Sequence, residues 1–236
     1  MSFFNRRLAL KSALATSAAA MAGTVFAQQG CAVLTGDTQS AITPDAAIKL
    51  LQDGNARFAA GQSINCDLLQ QVRDTSKGQA PFAAVVGCID SRVPPELVFD
   101  QRIGDIFAAR IAGNYVNDDI IGSLEFATQL AGSKAIVVLG HSECGAVKGA
   151  VDDARLGLLT GVLAQIRPSL AKLNYQGVPS SKDKELVQRA AEQNVRDAVA
   201  RLTARSEVLA QRVQAGQLKI VGAMHDIGTG RIQWLT

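Results

Sequence analysis

The chain has 236 residues, of which 47% are hydrophobic, 19% charged and only 5% aromatic. That is enough apolar material for one large core or two small ones, built from Leu, Ile, Val and Ala, and it excludes intrinsic disorder. Of the 24 basic residues, Arg6, Arg7 and Lys11 account for the formal charge of +3; the other 21 balance 21 acidic residues, so no basic face is implied and nucleic-acid binding loses its electrostatic motive.

The N-terminus reads as an address. Arg6-Arg7-Leu8-Ala9-Leu10-Lys11 is a twin-arginine pattern, followed by a small-residue apolar stretch from Ser12 to Phe26. Val25 and Ala27 suit the −3 and −1 positions of a cut after Ala27. We expect residues 1–27 to be a signal peptide and the protein to be periplasmic or otherwise exported. A retained anchor is disfavoured because the stretch is short and Ala-rich, and a lipid-modified Cys31 because Gln28-Gln29-Gly30 lacks an aliphatic residue. No later segment approaches about 18 apolar residues, so no membrane span is expected in the mature chain.

Residues 28–42 are rich in Gly, Gln, Ser and Thr and read as a flexible lead-in; residues 43–236 read as the folded domain. Thr43-Pro44-Asp45 opens a helix, with Thr43 as cap and Pro44 in the first turn, and Ile48, Leu51 and Phe58 give it an apolar face running to about Gly61. Phe82 to Val86 is a continuous apolar run ending at Gly87 and reads as a buried strand. Ile106 to Ile111 is a second strand and Asp118 to Leu130 a helix. Ala135 to Leu139, closed by Gly140, is the clearest buried strand. Helices are expected over 143–152, over Leu156 to Leu173 with a break at Pro168, and over Lys182 to Ala215 with alternating charge on its outer face. Leu218 to Met224 and Arg231 to Leu235 are the last strands, with Gly228-Thr229-Gly230 turning between them. Alternating strands and helices indicate an α/β fold around a central, mainly parallel β-sheet flanked by helices, whose ligands belong beyond the carboxyl ends of its strands.

Cys88 follows the strand ending at Val86, and His141 follows the strand ending at Leu139. His141-Ser142-Glu143-Cys144 sets an imidazole and a thiol three positions apart on a loop entering a helix, so both can face one ion. Two thiolates and an imidazole suit zinc, and three protein ligands leave the fourth tetrahedral position open, as a catalytic site requires. The four cysteines, Cys31, Cys66, Cys88 and Cys144, also allow three disulfide connectivities, and an oxidising destination keeps that reading open. Asp90 and Arg92 share the Cys88 loop. A guanidinium beside a carboxylate keeps it ionised and fixes its direction, although such a pair can equally be a surface ion pair of little consequence.

Cys88-Ile89-Asp90-Ser91-Arg92 together with His141-Ser142-Glu143-Cys144-Gly145 resembles the paired signature of the β-class carbonic anhydrases. Gly54 to Phe58, Gly104 to Phe107, Arg110 to Asn114, and Ala223 to Ile227 with Thr229-Gly230 extend the resemblance over most of residues 43–236. It implies reversible hydration of carbon dioxide to bicarbonate with one Zn2+ per chain. Cys88, His141 and Cys144 would be the metal ligands and Asp90 and Arg92 the catalytic dyad. Gln79 would bind the substrate oxygen, and the backbone N–H of Gly145 would lie near the substrate. A homodimer or homotetramer is implied as well. The family has two site forms, and a Trp shortly before the first Cys ligand typifies the form in which the Asp moves onto the metal. Here that stretch is Val85-Val86-Gly87, which favours the form that leaves the fourth position to water. Cys31 and Cys66 match no family ligand, and in an oxidising compartment they would either pair or remain two thiols. His225, the second of two histidines, reads as structural rather than as a proton shuttle. The rivals are hydrolysis of carbonyl sulfide or carbon disulfide at the same motifs, a thiol enzyme with Cys88 or Cys144 as nucleophile and His141 as base, and a zinc protein without activity.

Overall fold

The computed structural model describes residues 30–235; the export signal read over residues 1–27 lies outside them. Within the segment read as a lead-in, Gly36–Ser40 forms a short helix (α1), opened by a reciprocal cap between Thr35 and Thr38. Its buried Gln39 donates to the carbonyls of Pro81 and Ala131, both at 2.7 Å, which ties the segment to the connections that lead into the strands starting at Ala83 and Ala135. Helix α2 (Pro44–Ala59) starts as its sequence dictates: Thr43 accepts from the N–H of Ala46 and Pro44 occupies the first turn. Helix α3 (Leu68–Thr75), capped by Asp67, was not expected from the sequence. A disulfide joins Cys31 to Cys66, just before α3.

Strand β1 is Ala83–Gly87; a short helix α4 (Pro95–Val98) follows, then β2 (Ile106–Arg110). Helix α5 (Asp118–Glu125) runs on into a wider turn over Phe126–Leu130. Strand β3 (Ala135–His141) precedes helices α6 (Gly145–Val151), α7 (Leu159–Ala171), α8 (Lys184–Arg205) and α9 (Glu207–Gln214), and β4 (Lys219–His225) and β5 (Ile232–Leu235) complete the sheet.

Two sequence expectations are corrected. Pro168 does not break α7. Leu163 and Ile166 before it and Ser169 after it are all buried, so packing outweighs the one backbone bond that the proline removes. The helix expected from Lys182 to Ala215 is two. Ser206 adopts extended backbone, caps α9 by accepting from the N–H of Leu209, and donates its hydroxyl to Glu125 at 2.6 Å.

The strand order is β2-β1-β3-β4-β5, with only β5 antiparallel. Every residue of β1 and β3 is buried, as expected for parallel strands covered on both faces. On one face Ala84, Val86, Ile136 and Val138 pack against residues of α5 to α9. On the other, Ala83, Val85, Val137 and Leu139 pack against Ala47, Ile48 and Leu51 of α2 and against Phe99. This makes a three-layer sandwich. Gly140 permits the close approach of α8, since a Cβ there would lie 2.6 Å from Val195.

The chain leaves β1 toward β2 on one side and leaves β3 toward β4 on the other. A crevice therefore opens beyond the carboxyl ends of β1 and β3, where the topology switches. The register pairs Gly87 with Leu139, which brings Cys88 and His141 to that same edge.

Candidate metal centre

His141 is the last residue of β3, Cys88 follows β1, and Cys144 stands at the N-cap of α6. All three are buried, and their ligand atoms lie within 4.8 Å of one another. The two sulfurs are 4.0 Å apart and both thiols are free. Two metal–sulfur bonds of about 2.3 Å at a tetrahedral angle would set sulfurs about 3.8 Å apart, so the spacing fits zinc with little movement. His141 Nδ1 lies 2.9 Å from the carbonyl of Ser142. With its proton on Nδ1, the ring turns Nε2 toward the thiols as an acceptor, and that buried Nε2 has no hydrogen-bond partner. An unpartnered imidazole nitrogen facing two soft donors is the expected imprint of a metal site.

The two thiols sit in opposed electrostatic settings. Cys88 is drawn below its ordinary range, to about 4, chiefly by a hydrogen bond from Cys144, against the cost of burial. Cys144 is pushed up by the same interaction and by burial. The N–H groups of Ala146 and Val147, in the first turn of α6, favour the charged form of Cys144. The N–H of Gly113 donates to Cys88 Sγ at 3.3 Å.

Asp90 and Arg92 form the expected pair. Arg92 Nε donates to Oδ1 at 2.9 Å, Nη2 to Oδ2 at 2.7 Å, and the Arg92 backbone N–H to Oδ1 at 3.0 Å. The Arg92 guanidinium holds the Asp90 carboxyl well below the usual carboxylate range. Oδ2 lies 3.8 Å from His141 Nε2, beside the donor cluster, and Asp90 is not one of the clustered ligands.

Gly145 opens α6 and is exposed next to Cys144. Gln79 is not brought to the cluster. It is exposed in the loop that enters β1, and β1 spans about 16 Å between that entry and Cys88. His225 ends β4 in register with His141. It is 3% exposed, and neither ring nitrogen has a hydrogen-bond partner.

Sequence reading assigned no role to two residues that shape the site. Arg110, at the end of β2, donates from Nε to the Cys88 carbonyl at 2.9 Å and from Nη2 to the Asp90 carbonyl at 2.6 Å, so one guanidinium supports the whole ligand loop. Asn194 of α8 is buried and donates to the Gly113 carbonyl at 2.8 Å.

Comparison with known proteins agrees with this geometry. Residues 83–232 match the family model described as carbonic anhydrase. A carbonic anhydrase of Mycolicibacterium smegmatis is 37% identical over 196 residues, covering 80% of this chain and 92% of that protein. Carbonic anhydrase 2 of Mycobacterium tuberculosis is also 37% identical, over 194 residues, with coverages of 80% and 91%. Among solved structures, the β-carbonic anhydrase CafA of Aspergillus fumigatus aligns with a TM-score of 0.63 at 28% identity, covering 81% of this chain and 89% of that one. One from Sordaria macrospora, described as tetrameric, gives 0.62 at 27%, covering 81% and 97%. The chain belongs to the β-class carbonic anhydrases, the zinc-dependent family that interconverts carbon dioxide and bicarbonate.

Proposed function

We propose that Cys88, His141 and Cys144 hold the zinc, and that Asp90, fixed by Arg92, orients the attacking water. The observation that carries this is the convergence of the three donors within 4.8 Å, with Asp90 Oδ2 3.8 Å from the imidazole nitrogen that faces them. When bound, zinc supplies the Lewis acidity that makes water a nucleophile near neutral pH. Asp90 Oδ1 is taken up by two donors of Arg92, whereas Oδ2 accepts only Nη2. Oδ2 therefore keeps a lone pair for the water proton and aims the nucleophile at the carbon of CO2. Because Arg92 engages both oxygens, Asp90 stays off the metal, which supports the form that leaves the fourth position to water. The N–H of Gly145, in the first turn of α6, would donate to the product oxygens.

Gln79 reaches such a site only from a second copy, because β1 separates it from the cluster of its own chain. Exposed Leu68, Leu69 and Val72 on α3 and exposed Leu97 after the ligand loop give a second copy apolar surface to cover. We read the protein as a homodimer or homotetramer in which Gln79 serves the partner's site. Export to the periplasm is supported by the twin-arginine pattern and by the Cys31–Cys66 pairing, a bond that persists in oxidising compartments.

Zinc content and CO2 hydration of two variants test the assignment. His141→Ala is expected to lose zinc and activity together. Asp90→Asn is expected to keep zinc and lose about 100-fold in kcat/KM; an active Asp90→Asn enzyme would overturn the role of the dyad.

A further inference from the structure

Helix α8 buries a stripe that includes Val187, Ala190, Ala191, Val195 and Ala198. Asn194 lies within that stripe and is 3% exposed. A buried amide is costly unless it is hydrogen-bonded. Its bond is to the carbonyl of Gly113, 81 residues away in sequence. The N–H of the same Gly113 donates to Cys88 Sγ. One glycine thus receives from α8 on one side and gives to the ligand sulfur on the other.

Gly113 is built for this position. Its φ of +74° is in the region that favours glycine, and a Cβ would lie 2.4 Å from Ile166 of α7 and 3.3 Å from Ala146 of α6. The backbone is pressed between two helices while α8 grips its carbonyl. Buried thiolates need donors, and a hydrogen bond to a ligand sulfur draws charge from it and so tunes the metal it holds.

We propose that Asn194 is a positioning residue of the metal centre, acting through Gly113 to keep its N–H aimed at Cys88 Sγ. The proposal rests on the reading of Cys88 as a zinc ligand. Without the Asn194 amide, the peptide after Gly113 loses its anchor and the glycine is free to rotate about its own φ and ψ, so the donor to sulfur in the peptide before it weakens and Cys88 would place more charge on the metal. The effect belongs to the centre itself and is separate from any loss of packing.

The test uses the full protein loaded with cobalt(II) in place of zinc, comparing wild type with Asn194→Leu, which keeps the branched shape without the amide, and Asn194→Ser, which keeps the cavity polar. Leu202→Ala, elsewhere on the buried face of α8, controls for destabilisation. In wild type an intense thiolate-to-cobalt band is expected, and its absence would refute the ligand reading itself. Given that band, both Asn194 variants are expected to shift it to longer wavelength and to weaken zinc binding about 10-fold against a competing chelator. Leu202→Ala is expected to lower the melting temperature and leave band and affinity unchanged. A band and an affinity unaltered in whichever Asn194 variant folds, or a shift of equal size in Leu202→Ala, would overturn the proposal.

Discussion

Two histidines occupy adjacent strand ends and meet different fates. His141 turns one nitrogen to the Ser142 carbonyl and the other to two thiols. His225 is buried with neither nitrogen partnered, and burial, reinforced by His141, pushes its pKa below the ordinary value. Between the lowered folded value and the unfolded value near 6.5, the unfolded chain binds the extra proton. Stability therefore falls as pH drops below about 6.5. Urea unfolding between about pH 7.5 and 5.5 should show a declining midpoint in wild type and a flatter one in His225→Gln; equal slopes would contradict a neutral buried imidazole. The three clustered donors were legible in the sequence because Cys88 and His141 stand at strand ends that apolar runs announce and Cys144 lies three residues beyond His141. Asn194 was not, since a polar residue inside a charged helix reads as solvated. Its signal was its phase: Val187, Ala190, Ala191 and Ala198 set a three- and four-residue spacing into which Asn194 falls.

At the scale of elements, the legible parts were those with one dominant cause. β1 and β3 are short apolar runs without charge, and α2 carries its cap, its proline and its stripe together. Helix α3 escaped because it is only about two turns long: Leu68, Leu69 and Val72 have helical spacing but are too few to announce a helix, and they are exposed rather than packed on the core. The division of α8 from α9 escaped because it depends on Ser206 meeting Glu125 across 81 residues, a contact that no local pattern contains. Pro168 was misread for the converse reason: the local rule is sound, but α7 is held by burial on both sides of it. The motif Gly54 to Phe58 turns out to be a tie between elements. Asn55 donates to the carbonyls of Val98 and Gly230 and accepts from the N–H of Ile232, joining α2 to α4 and to the β4–β5 turn.

At the scale of the whole molecule, the position of Gln79 makes a prediction that a self-contained site would not. If Gln79 serves the partner's metal centre, each active site is shared between two chains. A hybrid of one Gln79→Ala chain and one Asp90→Asn chain then contains one intact site and one doubly impaired site. Mixed assemblies of the two impaired parents should regain roughly half of wild-type activity per hybrid dimer, by the rule that a two-fold interface presents the same surfaces twice. A mixture no more active than the mean of its parents would show that Gln79 does not serve the partner's site.

The central claim, that this chain hydrates CO2 with a zinc held by Cys88, His141 and Cys144, is tested most directly by measuring zinc content and CO2 hydration on one preparation. Stopped flow with a pH indicator from about pH 6 to 9 spans the range in which metal-activated water ionises. The account predicts one zinc per chain and a hydration rate that rises with pH across that range. No zinc in protein produced with zinc available, or one zinc per chain without hydration, would contradict it.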